Sequence, residues 1–259
     1  MTHDDAELGE ELVRLSSADN FRDVAGPGYE TVDGGRVRRG VLFRSNELTL
    51  THEDADALAR LGITAIYDLR DAHEVEAHPD ATVPGATWRH VEVKGIPMEA
   101  VATLASREEG LAVMGEVYRG FVDKPGGRAA FSELLHELAA DEGAQLFHCT
   151  AGKDRTGWAS VLLLHLAGVA PETILDDYLR TNTISSATRT KYLGMVREHL
   201  GPDKVDVYET VMVADAAYLQ QAYDAVAASY GSIDSYLSEG LGLGPDTLAV
   251  LRARLVDRP

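Results

Sequence analysis

Short apolar runs alternate with segments of helical spacing along the first part of the chain. Residues 63–67 form an apolar run of residues that favour strands, and residues 88–93 contain Trp88, Val91 and Val93, so the pattern predicts two strands. Residues 51–61 give a capping hydroxyl followed by apolar positions three apart, and this pattern predicts a short amphipathic helix. Residues 20–23 and 37–45 indicate further short strands. The alternation of strands and helices favours the α/β fold class.

The remainder of the chain has helical patterning around one more strand. Residues 145–148 predict a short buried strand, and the nearly all-apolar segment 156–167 predicts a buried helix directly after it. Residues 98–121 and an apolar stripe within 128–140 also have helical spacing. From residue 171 to about residue 257 the pattern is mostly helical, so we expect a helical C-terminal half.

No repeat, low-complexity tract or polar linker divides the sequence. A chain of 259 residues without such a boundary is expected to form one domain over residues 1–259. Residues 1–12 are acidic and lack periodicity, which predicts a flexible lead-in.

Acidic residues outnumber basic residues, 42 to 24, and give a formal charge of −18. Such a charge disfavours nucleic acid or an anionic membrane as a partner. No apolar run reaches the ~18 residues that cross a bilayer, so we expect no transmembrane segment. The acidic N-terminus is unlike a signal peptide. We therefore expect a cytoplasmic protein, or one that is exported without a recognisable signal.

Cys149 is the single cysteine of the chain. This count excludes an internal disulfide framework, a cysteine-rich zinc site and any relay between two thiols of one chain. A lone cysteine is by default a small buried hydrophobe, and its neighbours decide whether that default applies.

Those neighbours, residues 148–157, read His-Cys-Thr-Ala-Gly-Lys-Asp-Arg-Thr-Gly and join the predicted strand to the predicted helix. A loop in this position directs backbone N–H groups at one point, and the N-terminus of the helix adds partial positive charge. Gly152 lets the backbone turn tightly. Arg155 follows Cys149 by six residues, so its guanidinium can hold two phosphate oxygens. The predicted phosphate-binding residues are Thr150, Ala151, Gly152, Lys153 and Arg155.

The same surroundings favour a reactive cysteine. Helix N-termini and nearby cations lower the pKa of a cysteine thiol, and a thiolate beneath a phosphate cradle is placed for attack at phosphorus. We therefore expect Cys149 to form a phosphocysteine while Arg155 stabilises the equatorial oxygens. By adjacency alone, Thr156 is a candidate donor to the sulfur and His148 a candidate for orienting the loop.

Further motifs occur in a fixed order along the chain: Asn-Phe-Arg-Asp at 20–23, Leu-Phe-Arg-Ser at 42–45, Tyr-Asp-Leu-Arg at 67–70 and Asp-Tyr-Leu-Arg-Thr-Asn at 177–182. Together with the Cys-x5-Arg-Thr loop, they resemble the bacterial cysteine-dependent tyrosine phosphatase family from about residue 20 to 240. The resemblance implies an α/β core with a parallel central sheet flanked by helices, no metal or other cofactor, and hydrolysis through a phosphocysteine. The Gly-Lys-Asp-Arg stretch also resembles phosphoinositide phosphatases, in which Lys153 would contact additional phosphates.

The general acid is not carried by the Trp-Pro-Asp tripeptide of many related phosphatases, because the chain lacks it. Asp154 is the first candidate, since it lies inside the loop, although it is equally suited to pair with an arginine. Asp68 and Glu99 are the alternatives. The lid known in the family suggests that residues 98–121 cover the pocket.

The sequence therefore predicts a phosphomonoester hydrolase, foremost a protein-tyrosine phosphatase, that acts on a phosphorylated protein, with phosphoserine/threonine or phosphoinositide activity as an extension. The alternatives are a catalytically idle phosphate-binding module and a sulfur-transfer enzyme with a similar loop. Four further arginines are each expected to form structural ion pairs, and the sequence does not say which of them line the pocket: Arg22, Arg44, Arg70 and Arg180.

Overall fold

The computed structural model describes residues 13–257, so the predicted lead-in over residues 1–12 lies outside the described part. Within it, the strands are β1 (Arg22–Asp23), β2 (Arg36–Val37), β3 (Leu42–Ser45), β4 (Ile63–Asp68), β5 (Thr87–His90), β6 (Ala144–His148) and β7 (Val256–Asp257). Five of them form the central sheet in the order β1-β3-β6-β4-β5. Strands β3 to β6 pair in parallel, and β1 pairs antiparallel with β3. The expected α/β fold with a mostly parallel sheet is confirmed.

Helices cover the sheet and form most of the C-terminal half, as expected. They are α1 (His52–Arg60), α2 (Ala72–Ala77), α3 (Met98–Ala102), α4 (Arg107–Asp123), α5 (Pro125–Ala140), α6 (Arg155–Ala167), α7 (Pro171–Ile184), α8 (Ser186–Leu200), α9 (Val205–Met212), α10 (Ala216–Tyr230), α11 (Ile233–Ser235) and α12 (Pro245–Leu255). A short 3₁₀ turn spans Pro202–Lys204, and a π-helical turn spans Tyr236–Gly240. No helix among residues 13–257 is long and apolar enough to cross a bilayer.

Two hydrophobic clusters lie in the core. The larger one contains Phe131, Trp158 and most of α6, which explains why the sequence of α6 is apolar on nearly every face. The smaller one contains Phe21, which stacks on Phe43 with ring centroids 5.5 Å apart. Burial of α6 holds its N-terminus in a fixed place.

The strand register places the carboxyl ends of three neighbouring parallel strands side by side. Ser45 at the end of β3 and Asp68 at the end of β4 both pair with His148 at the end of β6. Loops that follow the carboxyl ends of parallel strands are the usual place for a ligand site in this fold class. The loop from β6 to α6, which carries Cys149, leaves the sheet at these carboxyl ends.

Helix α4 belongs to the core. Its buried side chains include Met114, Tyr118 and Phe121, and the Tyr118 ring packs against Tyr218 of α10 at 6.0 Å. Most of the segment 98–121, expected to be a lid, therefore lies within the folded body.

Candidate active site

The loop between β6 and α6 is tightly curled. Gly152 has φ +65°, and a Cβ at this position would lie 2.5 Å from the carbonyl oxygen of Ser45 and 2.7 Å from the side chain of Asn20. A glycine is therefore required both by the backbone angle and by the close approach of neighbouring chain. Asn20 also donates to the carbonyl of Ala151 at 2.8 Å, which fixes the loop from the side.

A buried arginine supports the loop from below. Arg44 donates to the carbonyl of Gly152 at 2.9 Å and to the carboxylate of Asp177 on α7 at 2.9 Å. Arg22 lies 3.5 Å from the same carboxylate. Burial would raise the pKa of Asp177, but Arg22 and Arg44 outweigh it and hold that pKa below its ordinary value. The ionised carboxylate lies against both buried guanidinium groups and offsets one of their two positive charges.

A second buried network lies beneath His148. Arg70 donates to both carboxylate oxygens of Asp68, at 2.9 and 2.7 Å, and to Asp80 at 2.8 Å. His148 Nε2 is 2.8 Å from Asp80, although the contact is not aligned as a hydrogen bond. A carboxylate oxygen of Asp68, one of Asp80 and a ring nitrogen of His148 lie within 4.8 Å of one another, and Arg70 supplies the cation beside them. The His148 ring therefore lies beside these two carboxylates, and neither of its nitrogens forms a hydrogen bond to the loop within the described residues.

The structure places the four arginines whose position relative to the pocket the sequence left open. Arg22, Arg44 and Arg70 are fully buried and pair with carboxylates, and Arg180 is half-buried. None of the four lines the cavity beside Cys149. Arg22, Arg44 and Arg70 are therefore structural residues of the loop and its supports.

The cavity beside the loop has a volume of about 280 Å³. The loop contributes Cys149, Thr150, Ala151, Lys153, Asp154 and Arg155 to its wall. The structure thus brings the predicted nucleophile, arginine and first acid candidate to one place. Gly152 does not line the cavity, since it faces the supports described above.

The cover of this cavity comes from the C-terminal half. Ser185, Thr188, Arg189 and Tyr192, at the start of and along α8, face the loop together with Val211 and Met212 at the end of α9. None of the side chains that the structure describes within 98–121 lines it, and of the described residues just before that segment Ile96 does. The segment in the place of a lid is therefore 185–212.

Arg155 is held by a carboxylate that the sequence analysis missed. Its two terminal nitrogens bond the two oxygens of Glu74 at 2.6 and 3.0 Å, and Asp71 lies 3.7 Å away. No bond from its Nε to another described residue is formed, so this edge of the guanidinium is available. Burial would lower the pKa of Arg155, but Cys149 and Glu74 raise it above its ordinary value.

Glu74 is itself well positioned. Its carboxylate accepts the backbone N–H of Asp71 at 2.7 Å, as a capping box at the start of α2, and also accepts the hydroxyl of Thr150. Burial would raise the pKa of Glu74, but Arg155 and Thr150 lower it to about 2. The spacing of Asp71 and Glu74 is a recognisable signal for a helix cap, but it does not indicate the contact with Arg155.

Asp154 lines the cavity, and its Oδ1 accepts the hydroxyl of Tyr118 at 2.9 Å. Glu99 is exposed and Asp68 is fully buried against Arg70, and neither lines the cavity. Of the three acid candidates, Asp154 is thus the one beside Cys149.

Lys153 and Thr156 lie differently from the roles expected of them. Lys153 is 2% exposed, and its Nζ donates to the carbonyls of Val211 and Val213 at 2.8 and 3.0 Å. The lysine therefore joins the loop to the end of α9 rather than pointing into open space. The hydroxyl of Thr156 is buried and has no hydrogen-bond partner within residues 13–257, the sulfur of Cys149 included.

Comparison with known proteins finds relatives that are all named phosphatases. A family model described as the tyrosine phosphatase family matches residues 13–257. The chain is 29% identical to the triple specificity protein phosphatase PtpB of Mycobacterium tuberculosis, over 93% of this chain and 98% of that protein. It is 32% identical to a putative tyrosine-protein phosphatase of Cupriavidus necator, over 88% and 82% of the two chains. A tyrosine-protein phosphatase of Nostoc commune is 35% identical over half of this chain and 44% of its own length.

Proposed function

The chain belongs to the tyrosine phosphatase family and is a protein-tyrosine phosphatase, and we propose that it works through a phosphocysteine formed on Cys149. One observation carries this proposal: Cys149, Asp154 and Arg155 line a single cavity at the N-terminus of a buried helix. We further propose one domain over residues 1–259, since the larger core cluster already extends from Val24 to Val256.

In the first step the Sγ of Cys149 attacks phosphorus and a new S–P bond forms. The P–O bond to the tyrosyl oxygen breaks on the opposite side, and Asp154 donates a proton to that oxygen. Charge on the three equatorial oxygens is stabilised by the backbone N–H groups of residues 150–154 and by the free edge of Arg155. The product tyrosine leaves, and the phosphoryl group stays on sulfur.

In the second step water attacks the phosphocysteine. Asp154, now ionised, takes a proton from the water as the O–P bond forms. The S–P bond breaks, its electron pair returns to Cys149 as thiolate, and inorganic phosphate is released. The unpaired hydroxyl of Thr156 is available to donate to the departing sulfur, which stabilises the thiolate.

Glu74 is a positioning residue in this scheme. It occupies the terminal edge of the Arg155 guanidinium, so the Nε edge is turned toward the phosphate. A planar guanidinium that is held at one edge loses little rotational freedom on binding an oxyanion at the other.

A phosphotyrosyl group carries a single phosphate, so it can engage the loop and Arg155 without the side chain of Lys153, which is bonded elsewhere. A ligand with further phosphates would have to compete with the carbonyls of Val211 and Val213 for Lys153. We therefore propose phosphotyrosyl protein as the main substrate. Phosphoserine/threonine and phosphoinositide activities are extensions, and the phosphoinositide one requires Lys153 to be released.

Turnover of an aryl phosphate by the intact protein and its Cys149→Ser variant tests the proposal. We expect the variant to bind phosphorylated ligand and to release no phosphate. Wild-type binding without turnover would instead indicate an idle binding module. A persulfide on Cys149 without phosphate release would indicate sulfur transfer. Activity near that of the wild type in Cys149→Ser would place the nucleophile elsewhere.

A further inference from the structure

Asp154 occupies the position immediately before helix α6, where an aspartate ordinarily caps the helix. The carboxylate of an N-cap aspartate accepts a backbone N–H of the first helical turn. The side chain of Asp154 forms no such bond, so α6 begins without a side-chain cap. Other groups therefore hold this carboxylate, and they decide which way it points.

Two buried tyrosines reach Asp154 from the core. Tyr118 on α4 donates its hydroxyl to Oδ1 of Asp154 at 2.9 Å, and its oxygen lies 2.7 Å from the hydroxyl oxygen of Tyr178 on α7. Tyr118 is 0% exposed and Tyr178 is 1% exposed. The three side chains thus form a continuous hydrogen-bonded chain that ends at the wall of the cavity.

The direction of the hydrogen bonds follows from what each group can donate. An ionised carboxylate only accepts, and a tyrosine hydroxyl has a single proton. Tyr118 therefore gives its proton to Asp154, and Tyr178 gives its proton to Tyr118. Burial, together with the negative charge of Asp154, raises the pKa of both tyrosines above the ordinary value, so both hydroxyls stay protonated and remain donors.

The two carboxylate oxygens of Asp154 have different surroundings. Oδ1 accepts the Tyr118 hydroxyl and lies 3.4 Å from Nζ of Lys153. Oδ2 accepts no hydrogen bond from another residue within 13–257. A proton on Oδ1 would face two donors, so the acid form of Asp154 carries its proton on Oδ2. Since Asp154 lines the cavity, Oδ2 is the oxygen that can present this proton to a substrate.

We propose that Tyr118 and Tyr178 are positioning residues for the general acid: they hold Oδ1 of Asp154 and thereby direct the proton on Oδ2 toward the oxygen of the leaving group. This inference rests on the proposed function and deepens it, because it assigns how the acid is oriented. Neither tyrosine lines the cavity. A carboxyl group that is held at one oxygen samples fewer orientations, which preserves the geometry needed for proton transfer.

The tyrosines are themselves fixed by aromatic packing. The ring of Tyr118 packs against the rings of Phe121 and Tyr218, with centroids 5.2 and 6.0 Å apart. The ring of Tyr178 meets it edge-on at 6.3 Å. These contacts involve the rings and not the hydroxyls. Replacement of either tyrosine by phenylalanine therefore removes the hydrogen bond and keeps the packing.

Single hydroxyl deletions test the chain, with kcat/KM measured for aryl phosphates whose phenols differ in acidity. Poor leaving groups depend most on the general acid. For the least acidic phenol we expect kcat/KM to fall about tenfold in Tyr118→Phe and about threefold in Tyr178→Phe, with little change for the most acidic phenol. The dependence of kcat/KM on leaving-group acidity should thus steepen in both variants. Each variant is assayed at its own pH optimum, so that a change in ionisation does not enter the comparison.

Two further variants make the test specific. Tyr178 acts through Tyr118, so the double variant Tyr118→Phe with Tyr178→Phe should match Tyr118→Phe alone. Tyr218→Phe is the matched control, because its ring belongs to the same cluster but its hydroxyl donates to the carbonyl of Thr210 at 2.7 Å. This control should keep the leaving-group dependence of the wild type.

Equal losses for all phenols in the two single variants would overturn the inference, since the hydroxyls would then serve packing alone. Additive losses in the double variant, or a steeper dependence in Tyr218→Phe, would overturn it as well. Asp154→Asn separates the inference from the proposed function. If that variant steepens the dependence and the two tyrosine variants do not, Asp154 is the acid and only its positioning is refuted. Absence of phosphate release by the wild type would refute both.

Discussion

Replacing Glu74 by glutamine separates positioning of Arg155 from folding of the loop. The amide oxygen of glutamine can still accept the Asp71 N–H, so the cap of α2 is kept. The carboxylate, which bonds both terminal nitrogens of Arg155 at 2.6 and 3.0 Å, is lost together with its charge. A hydrogen bond to a charged group contributes about 1.5–3 kcal/mol, so kcat/KM for an aryl phosphate should fall about 10- to 100-fold.

The variant also has an effect on the pH dependence of stability. The pKa of Glu74 is about 2 in the folded protein, below the ordinary 4.5 of an unfolded glutamate. Its stabilisation is therefore complete above pH 4.5 and is lost as the pH falls toward 2. A shift of this size corresponds to stability on the order of 3 kcal/mol. Urea unfolding between neutral and acidic pH should show a weaker acid dependence in Glu74→Gln than in the wild type.

Steady-state kinetics on a fluorogenic aryl phosphate would measure the catalytic effect. Glu76→Gln is the matched control, since Glu76 lies on the same helix, is exposed and should tolerate the same change. Comparison at a pH where both variants are fully folded separates kcat from stability. If Glu74 merely blocked the phosphate site, its removal would lower KM and raise kcat/KM. That outcome, or an unchanged kcat/KM, would refute the positioning role.

Three further changes test other contacts. Lys153→Met removes two hydrogen bonds from a charged donor to the end of α9, so the rate of Cys149 alkylation should rise by about tenfold. An unchanged rate would mean that these bonds do not hold the cover of the cavity closed. Asp154→Asn should slow the hydrolysis of alkyl phosphates by about 10²- to 10⁴-fold and that of aryl phosphates less, when both substrates are assayed side by side. Equal slowing of the two hydrolyses would assign Asp154 a structural role. Asp177→Asn should lower the free energy of unfolding in urea by about 3–5 kcal/mol, since Arg22 and Arg44 would be left buried without a carboxylate. A loss below 1 kcal/mol, roughly the contribution of an exposed ion pair, would show that water reaches the two arginines.

Local pattern was enough to predict most of the strands and helices along the chain. The segment 156–167 is apolar on nearly every face of the predicted helix, which indicates a fully buried helix. The structure places that helix in the larger core cluster. The parallel sheet followed from the family resemblance, since periodicity does not report strand direction. The Cys149–Arg155 loop was found because its residues are contiguous, so their spacing is visible in sequence.

Contacts between distant segments were not predictable in the same way. Glu74 and Arg155 are 81 positions apart, and the spacing of Glu74 from Asp71 reports only a helix cap. The cover of the cavity was expected at 98–121, although α8 and α9 occupy that place. Amphipathic spacing in α4 describes a helix with one buried side, but it does not identify the element that side packs against.

The hydrogen bond from Arg44 to the carbonyl of Gly152 limits how far the chain can be truncated and still be active. Asp177, which pairs with this arginine, lies on α7, downstream of every residue that we propose to contact phosphate. A fragment ending before α7 would retain the nucleophile yet leave a bare cation under the loop. The C-terminal helices are thus an inseparable part of the catalytic apparatus, and shortening the protein from that end should abolish turnover before it removes any reacting group.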